Sequence, residues 1–145
     1  MKKALLCLAI ASLGACKKDS DPVASPSRTD LLTTPKWKIT GGTIGSGATA
    51  FPISVILPTC YNDDTFKFNT DKTVVDDAGT VKCNATDPQT QTGSWSFSNS
   101  DQTQMQLNVP GTPLNGTFDV KELTSNSLRI TGAIIGTPVD VTFAP

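Results

Sequence analysis

An alternation of apolar and polar residues with a period of two runs through most of the chain and restricts its fold more than any other feature. In the segment QMQLNV, Met105, Leu107 and Val109 fall on one side of an extended chain and polar residues fall on the other. Such a pattern predicts a strand with one buried face. It predicts strands at 36–43, 64–69, 73–77, 92–98, 103–109, 115–123, 126–134 and 137–144, with 80–83 either a further strand or an extension of the one before it.

Short stretches rich in Gly, Asn, Asp, Ser and Pro separate these segments, as at residues 98–101 and 136–137. Connections this short join neighbouring antiparallel strands. The sequence therefore predicts an all-β fold, an antiparallel up-and-down meander. We expect it to close into a roughly eight-stranded barrel, because closure covers the apolar face and removes exposed edges.

The segment AFPISVILP, residues 50–58, breaks this alternation, because it is nearly continuously apolar and contains Pro52 and Pro58. Two interpretations are open. The segment is a buried strand or short plug packed on the core, which we favour, or it is a lid at the mouth of the barrel that shapes the access of a ligand.

The first 16 residues combine a basic start, a short apolar run and small residues before Cys16. This is the pattern of a signal peptide, and the run is too short to remain as a membrane-spanning helix. Leu13-Gly14-Ala15-Cys16 resembles the bacterial lipobox, in which the cysteine is lipidated and becomes the mature N-terminus. The alternative is an ordinary cleavage site followed by a chance cysteine.

We expect three regions: a lipoprotein signal peptide at 1–15, a flexible tether at 16–30 after lipidated Cys16, and the β-barrel domain at 31–145. The tether is rich in Ser, Asp, Lys and Pro, which predicts a solvated segment. The protein would be lipid-anchored at the bacterial cell envelope, at the outer membrane, on its periplasmic or its cell-surface face. KKDSD after Cys16 resembles the charged signals that send some lipoproteins to the cell surface; a generic tether is the alternative.

Two of the four cysteines remain once the leader is accounted for, since Cys7 is discarded and Cys16 carries lipid. Cys60 and Cys83 are an even number in an exported protein, which predicts one disulfide. A zinc site is disfavoured because the chain has no histidine. The CxxC spacing is absent, so we expect a structural bridge rather than a redox centre, and no metal.

Composition argues against catalysis and nucleic-acid binding. Without histidine the chain lacks the commonest general base, and its formal net charge is only −1. Asp63-Asp64 and Asp76-Asp77 are the visible acidic pairs. Adjacent side chains on a strand diverge, so neither pair forms a ready acid/base dyad. We expect no catalytic residues and no cofactor.

The order of the elements carries a family resemblance. Trp37 opens the first strand, Cys60 and Cys83 bound the block DDTFKFNTDKTVVDDAG, and GSWSF, QMQLNV and GTFDVKELTSNSLRI follow. This order resembles the lipocalin-like domains of small bacterial lipoproteins over about residues 31–144. The resemblance implies an up-and-down barrel of about eight strands. Classical lipocalins have a G-x-W motif in the first strand and an arginine in a late strand that packs over its Trp. Here Trp37 lacks the glycine, and Arg129 is the candidate for barrel-end Trp/Arg packing. The alternation makes Arg129 equally a solvated, outward residue, and this alternative stays open.

Aromatic residues dominate the expected interior of the barrel. They are Trp37, Phe66, Phe68, Trp95, Phe97, Phe118 and Phe143. Either these rings fill the barrel, or they bound a shallow apolar cavity, whose candidate lining residues are Phe66, Phe68, Trp95, Phe97, Met105 and Phe118.

Two functions follow from these alternatives. One is a membrane-anchored, non-catalytic lipocalin-like lipoprotein that binds a small hydrophobic ligand. The other is an envelope-displayed structural or protein/glycan interaction module with a side-chain-filled barrel. The expected partners are the membrane, through the N-terminal lipid, and the small hydrophobic ligand, with no nucleic acid; the sequence does not identify a protein partner.

Overall fold

The computed structural model describes residues 24–145. The predicted signal peptide, the predicted lipidation site Cys16 and the predicted tether as far as residue 23 lie outside the described residues, so they stay predictions. Among the residues described, no helix is long and apolar enough to cross a membrane.

A short helix and nine strands make up the regular structure. They are α1 (Arg28–Thr33), β1 (Lys38–Ile44), β2 (Phe51–Pro52), β3 (Thr65–Phe68), β4 (Thr73–Asp77), β5 (Thr90–Phe97), β6 (Gln104–Asn108), β7 (Asn115–Leu123), β8 (Leu128–Ile134) and β9 (Thr137–Ala144). All pairs are antiparallel, in the order β2-β1-β9-β8-β7-β6-β5-β4-β3. The predicted all-β antiparallel meander is confirmed.

The sheet curls but does not close into the continuous eight-stranded barrel that we expected. Its first and third strands meet only at an isolated bridge, where Trp37 and Phe66 exchange backbone hydrogen bonds of 2.9 and 2.7 Å. The physical reason lies in residues 45–62, which form three 3₁₀ turns and only the two-residue strand β2. Turns of this kind cannot continue a hydrogen-bonded ladder between β1 and β3.

Antiparallel connections place the loops at two opposite ends. Residues 45–64, 78–89, 109–114 and 135–136 lie at one end, which we call the loop end. The other, the helix end, carries α1 and the turns at 69–72, 98–103 and 124–127. Helix α1 begins with a capping box between Ser27 and Asp30 and buries Leu32 completely. It lies across the predicted boundary at residue 30, and the sequence reading missed it.

Inward-facing side chains of the strands form one hydrophobic core, as the alternation predicted. In β6 and just after it, Met105, Leu107 and Val109 are each at most 1% exposed. The predicted strand at 80–83 is wrong: residues 78–89 form a loop. That stretch has no neighbouring strand, since β4 already pairs with β3 and β5.

The favoured interpretation of residues 50–58 also needs correction. Only Ile53 and Leu57 pack on the core, whereas the side chain of Phe51 is 60% exposed and that of Val55 is 69% exposed. Two prolines limit backbone pairing here, and a single 3₁₀ turn cannot bury side chains on every side. The segment is therefore neither a buried strand nor a plug.

Candidate functional site

Side chains fill the interior where the sequence predicted a ligand cavity. Five of the six candidate residues are at most 2% exposed: Phe66, Phe68, Trp95, Met105 and Phe118. Accessible surface includes the wall of any internal void wide enough for water, so values near zero show that these side chains fill the space themselves. The predicted cavity is not formed, and the sixth residue, Phe97, is half-buried at the margin of the core.

Packing geometry explains the filled interior. Phe68 and Phe97 both pack edge-to-face on Trp95, with centroid distances of 5.9 and 5.4 Å. A Cβ atom at Gly132 would lie 2.6 Å from Cδ1 of Phe118. Because glycine has no side chain, the ring of Phe118 can pack directly against the backbone of β8. Ring contacts of this kind add to burial energy, and they leave no apolar cavity at these positions.

The predicted packing of Arg129 over Trp37 is also wrong. Leu128 and Ile130 face the core, so the alternation turns Arg129 outward, where its Nε donates to Asp140 at 2.9 Å. Helix α1 covers the tryptophan instead. Trp37 is fully buried, and its Nε1 donates a hydrogen bond of 2.9 Å to the carbonyl oxygen of Leu32.

A small cavity of about 50 Å³ opens at the loop end, beside the disulfide. Its polar lining comes from three strands or their margins and from three loops. The side chains concerned are Tyr61, Asp64, Asp76, Asp87, Gln91 and Thr112. We call this cavity the loop-end pocket. It is the place in the described chain where titratable groups converge on an enclosed space.

The disulfide fixes one wall of the loop-end pocket. Cys60 and Cys83 are bridged with a Cα–Cα distance of 5.1 Å, which confirms the predicted pairing. The Asp63 carboxylate strengthens the same connection, since it accepts hydrogen bonds from the backbone N–H and the hydroxyl of Thr80 at 2.6 and 2.7 Å. These contacts hold residues 78–89 against the 3₁₀ turn Thr59–Asn62.

Asp64 and Asp76 reach the loop-end pocket from the inward face of the sheet. Asp76 in β4 lies opposite Phe66 of β3 and opposite Gln91 of β5. Asp64 lies two residues before Phe66 and therefore points to the same face. Each aspartate is only 4% exposed. The Oδ1 atom of each is buried and has no hydrogen-bond partner among the described residues.

Burial makes both carboxyl groups weak acids. It raises the pKa of Asp64 to about 7, with further contributions from the negative charges of Asp76, Asp63 and Asp77. Burial likewise raises the pKa of Asp76 to about 6, and Asp77 adds to the effect. Around neutral pH, then, the two groups lie near their titration point. They hold protons or need a positive charge beside them.

Sequence reasoning missed this pair because it compared each aspartate only with its neighbour in the chain. Asp63-Asp64 and Asp76-Asp77 do diverge, as predicted, but the register of β3 and β4 brings one member of each doublet to the same pocket. A signal was present, since the alternation in DDTFKF places Asp64 on the face of Phe66 and Phe68.

Comparison with known proteins identifies the fold. A family model described as "Lipocalin-like domain" matches residues 34–130. A solved lipocalin-like protein from Bacteroides uniformis is 13% identical with a TM-score of 0.51; the match covers 79% of this chain and 97% of that one. An uncharacterized protein from Bacteroides eggerthii is 11% identical with a TM-score of 0.46, over 75% and 95% of the two chains.

No curated protein matches the chain significantly. The likeness to the first solved structure concerns the fold alone, whereas the family match extends over more than half of the sequence. It confirms the resemblance seen in the order of the strands. The chain belongs to the lipocalin-like domain family.

Proposed function

We propose that this protein is a membrane-anchored, non-catalytic interaction module that binds its partner on the outer face of a curled lipocalin-like sheet with a filled interior. The observation that carries this proposal is the interior itself. Residues expected to line a ligand cavity, such as Phe66 and Phe118, are at most 1% exposed. A carrier of hydrophobic molecules needs interior volume, and here the rings occupy it.

A groove on the outer face of the sheet supplies a binding surface. It has a volume of about 520 Å³ and includes outward side chains of four strands. Thr43, Asp140, Thr131 and Asp119 stand side by side in it, because each is the cross-strand partner of the next. Arg129 pairs with Asp140, and Lys121 pairs with Asp119. The row therefore presents threonine hydroxyls beside ion-paired carboxylates at the spacing of strands, which suits a polar partner such as a glycan or a polar protein surface.

We infer that the protein is not a catalyst from its composition, because a chain without histidine lacks the commonest general base.

The anchor is supported by sequence alone. We expect that Cys16→Ala abolishes palmitate incorporation and leaves the precursor unprocessed, whereas Cys60→Ala keeps the label; normal labelling of the Cys16 variant would refute lipidation.

Ligand titration separates the interaction module from a carrier. We expect native mass spectrometry with a panel of fatty acids to show no stoichiometric complex, and the fluorescence of buried Trp95 to remain unchanged. A one-to-one complex with quenching of Trp95 would mean that the core opens for a hydrophobic ligand, and it would overturn the proposal.

Site-specific photo-crosslinking in intact cells tests the groove. A photoreactive amino acid at Thr131 lies in the groove, and the matched control is the same residue at Ser96, which is outward and exposed on β5. We expect a discrete adduct from position 131 and none from position 96. Equal adducts from both positions, or none from either, would contradict a binding role for the groove.

A further inference from the structure

The loop-end pocket contains two buried carboxyl groups that the proposed function does not use. Asp64 and Asp76 are each only 4% exposed, and one carboxylate oxygen of each has no hydrogen-bond partner within residues 24–145. A buried polar group without a hydrogen bond costs stability, and a buried charge without a partner costs more. Two such groups facing one small cavity indicate that something else belongs between them.

Among residues 24–145, no Lys or Arg side chain lines this cavity. The other titratable groups close to the carboxyl groups of Asp64 and Asp76 are all neutral or acidic: Tyr61, Asp63, Asp77 and Asp87. The ammonium group of Lys82 in the neighbouring loop donates to the backbone carbonyl oxygen of Asp87 at 2.9 Å, not to either carboxyl group. The field in the pocket is therefore negative and attracts a cation.

Neutral oxygen atoms lie beside the two carboxyl groups, together with the apolar side chains of Ala78, Val81 and Pro88. Gln91 lies directly across from Asp76, and its side-chain amide lies against Gly111. The carbonyl oxygen of Gly111 accepts a hydrogen bond from the Tyr61 hydroxyl at 3.0 Å, and the hydroxyl of Thr112 is close by. Carboxylate, amide and carbonyl oxygens without nitrogen or free thiol are the ligand set of Ca²⁺ and Mg²⁺.

We propose that Asp64 and Asp76 bind one hard divalent cation, Ca²⁺ in preference to Mg²⁺, in the loop-end pocket. The cavity of about 50 Å³ holds an ion with one or two water molecules. Ca²⁺ tolerates the irregular arrangement of these oxygens, whereas Mg²⁺ demands a near-octahedral one. Two carboxylates give a weak site, with a dissociation constant on the order of 0.1–1 mM, the range of extracellular modules.

The site would join three parts of the loop end. Asp64 leads into β3, Asp76 is the last but one residue of β4, and the disulfide holds the loop that covers them. Since a bound ion adds a link between these parts, it stabilises the folded state in proportion to its occupancy. Thermal unfolding is therefore a direct readout that does not depend on the partner of the module.

The experiment compares the full-length mature protein with its Asp64→Asn and Asp76→Asn variants, at about pH 7.5 in EDTA and in about 5 mM CaCl₂ or MgCl₂. Asp101→Asn is the matched control, because it removes the same charge from an exposed turn. We expect CaCl₂ to raise the Tm of the wild type and of the control by about 5 °C, and MgCl₂ to raise it less. Neither pocket variant should respond.

A second measurement uses Tb³⁺ as a luminescent substitute for Ca²⁺, with Tyr61 in the pocket as the antenna. We expect luminescence that CaCl₂ competes away and that either pocket variant loses. Two results would overturn the proposal. An unchanged wild-type Tm in CaCl₂ would mean that protons, not a cation, neutralise the two carboxylates. An equal rise of Tm in the pocket variants would mean that the ion binds elsewhere.

Discussion

The buried aspartates predict an unusual dependence of stability on pH. Asp64 has a pKa of about 7 in the folded protein, against an ordinary value of 3.8. The folded state therefore holds this proton more tightly than the unfolded state does. The stabilisation is complete below about pH 4 and is lost as the pH rises through about 7, so the free energy of unfolding should fall between about pH 4 and pH 7 in EDTA and then level off.

The size of the effect follows from the same two values. The gap of about three in pKa corresponds to about 4 kcal/mol at ~1.36 kcal/mol for each unit of pH. Solvent in the loop-end pocket screens the charge, so we expect about half of this, about 2 kcal/mol. Asp76 titrates with Asp64 as a coupled pair, so the two effects do not simply add.

Urea unfolding of the wild type and of Asp64→Asn in EDTA measures this effect. Asn has the shape of the protonated acid, so the two proteins should be similarly stable at about pH 3.5, and the variant should be more stable by about 2 kcal/mol at about pH 8. Carboxylates with a lowered pKa, such as Asp63 and Asp119, act in the opposite sense at acid pH, but both proteins share them. Equal stability at about pH 8 would refute the reasoning.

Three further predictions concern the frame around the pocket, each measured by urea unfolding. Replacing Cys60 and Cys83 together by Ala should lower the free energy of unfolding by about 3 kcal/mol, because the bridge closes a loop with a sequence separation of 23; an effect below about 1 kcal/mol would contradict this. Trp37→Phe should cost about 1–3 kcal/mol, since it removes a buried hydrogen bond and ring volume; wild-type stability would show that the bond contributes nothing. Arg129→Ala should cost less than about 1 kcal/mol, because its ion pair with Asp140 is half-exposed; a larger loss would point to packing that the structure does not show.

Period-two alternation predicted most of the sheet because burial on one face decides which residues a strand tolerates. The same alternation predicted that Met105 and Leu107 face inward and that Arg129 faces outward, as the structure shows. Only the family resemblance suggested that Arg129 packs on the tryptophan at the barrel end. Val81 also stands between polar residues, yet it lies in a loop. Alternation shows that a segment can be a strand, but pairing needs a free neighbour.

Two features of the site depended on distances that no local pattern contains. Whether rings such as Phe118 fill a barrel or line a cavity depends on the curvature of the sheet and on gaps in its wall, such as Gly132. Likewise, Asp64 and Asp76 share a pocket only because of the register of β3 on β4, which shifts every side chain to the other face if it slips by one residue.

The composition of the core changes along the barrel, and this change bears on where function lies. Phe68 and Trp95 occupy inward positions toward the helix end, whereas Asp64 and Asp76 occupy inward positions at the loop end. Stability alone favours apolar residues at both ends, since replacing buried charges by well-packed apolar groups is often neutral or stabilising. A variant with Asn at both acidic positions should thus be more stable than the wild type above neutral pH and yet not respond to Ca²⁺. A variant that gains stability but loses ion binding would indicate that Asp64 and Asp76 serve ligand binding rather than the stability of the fold.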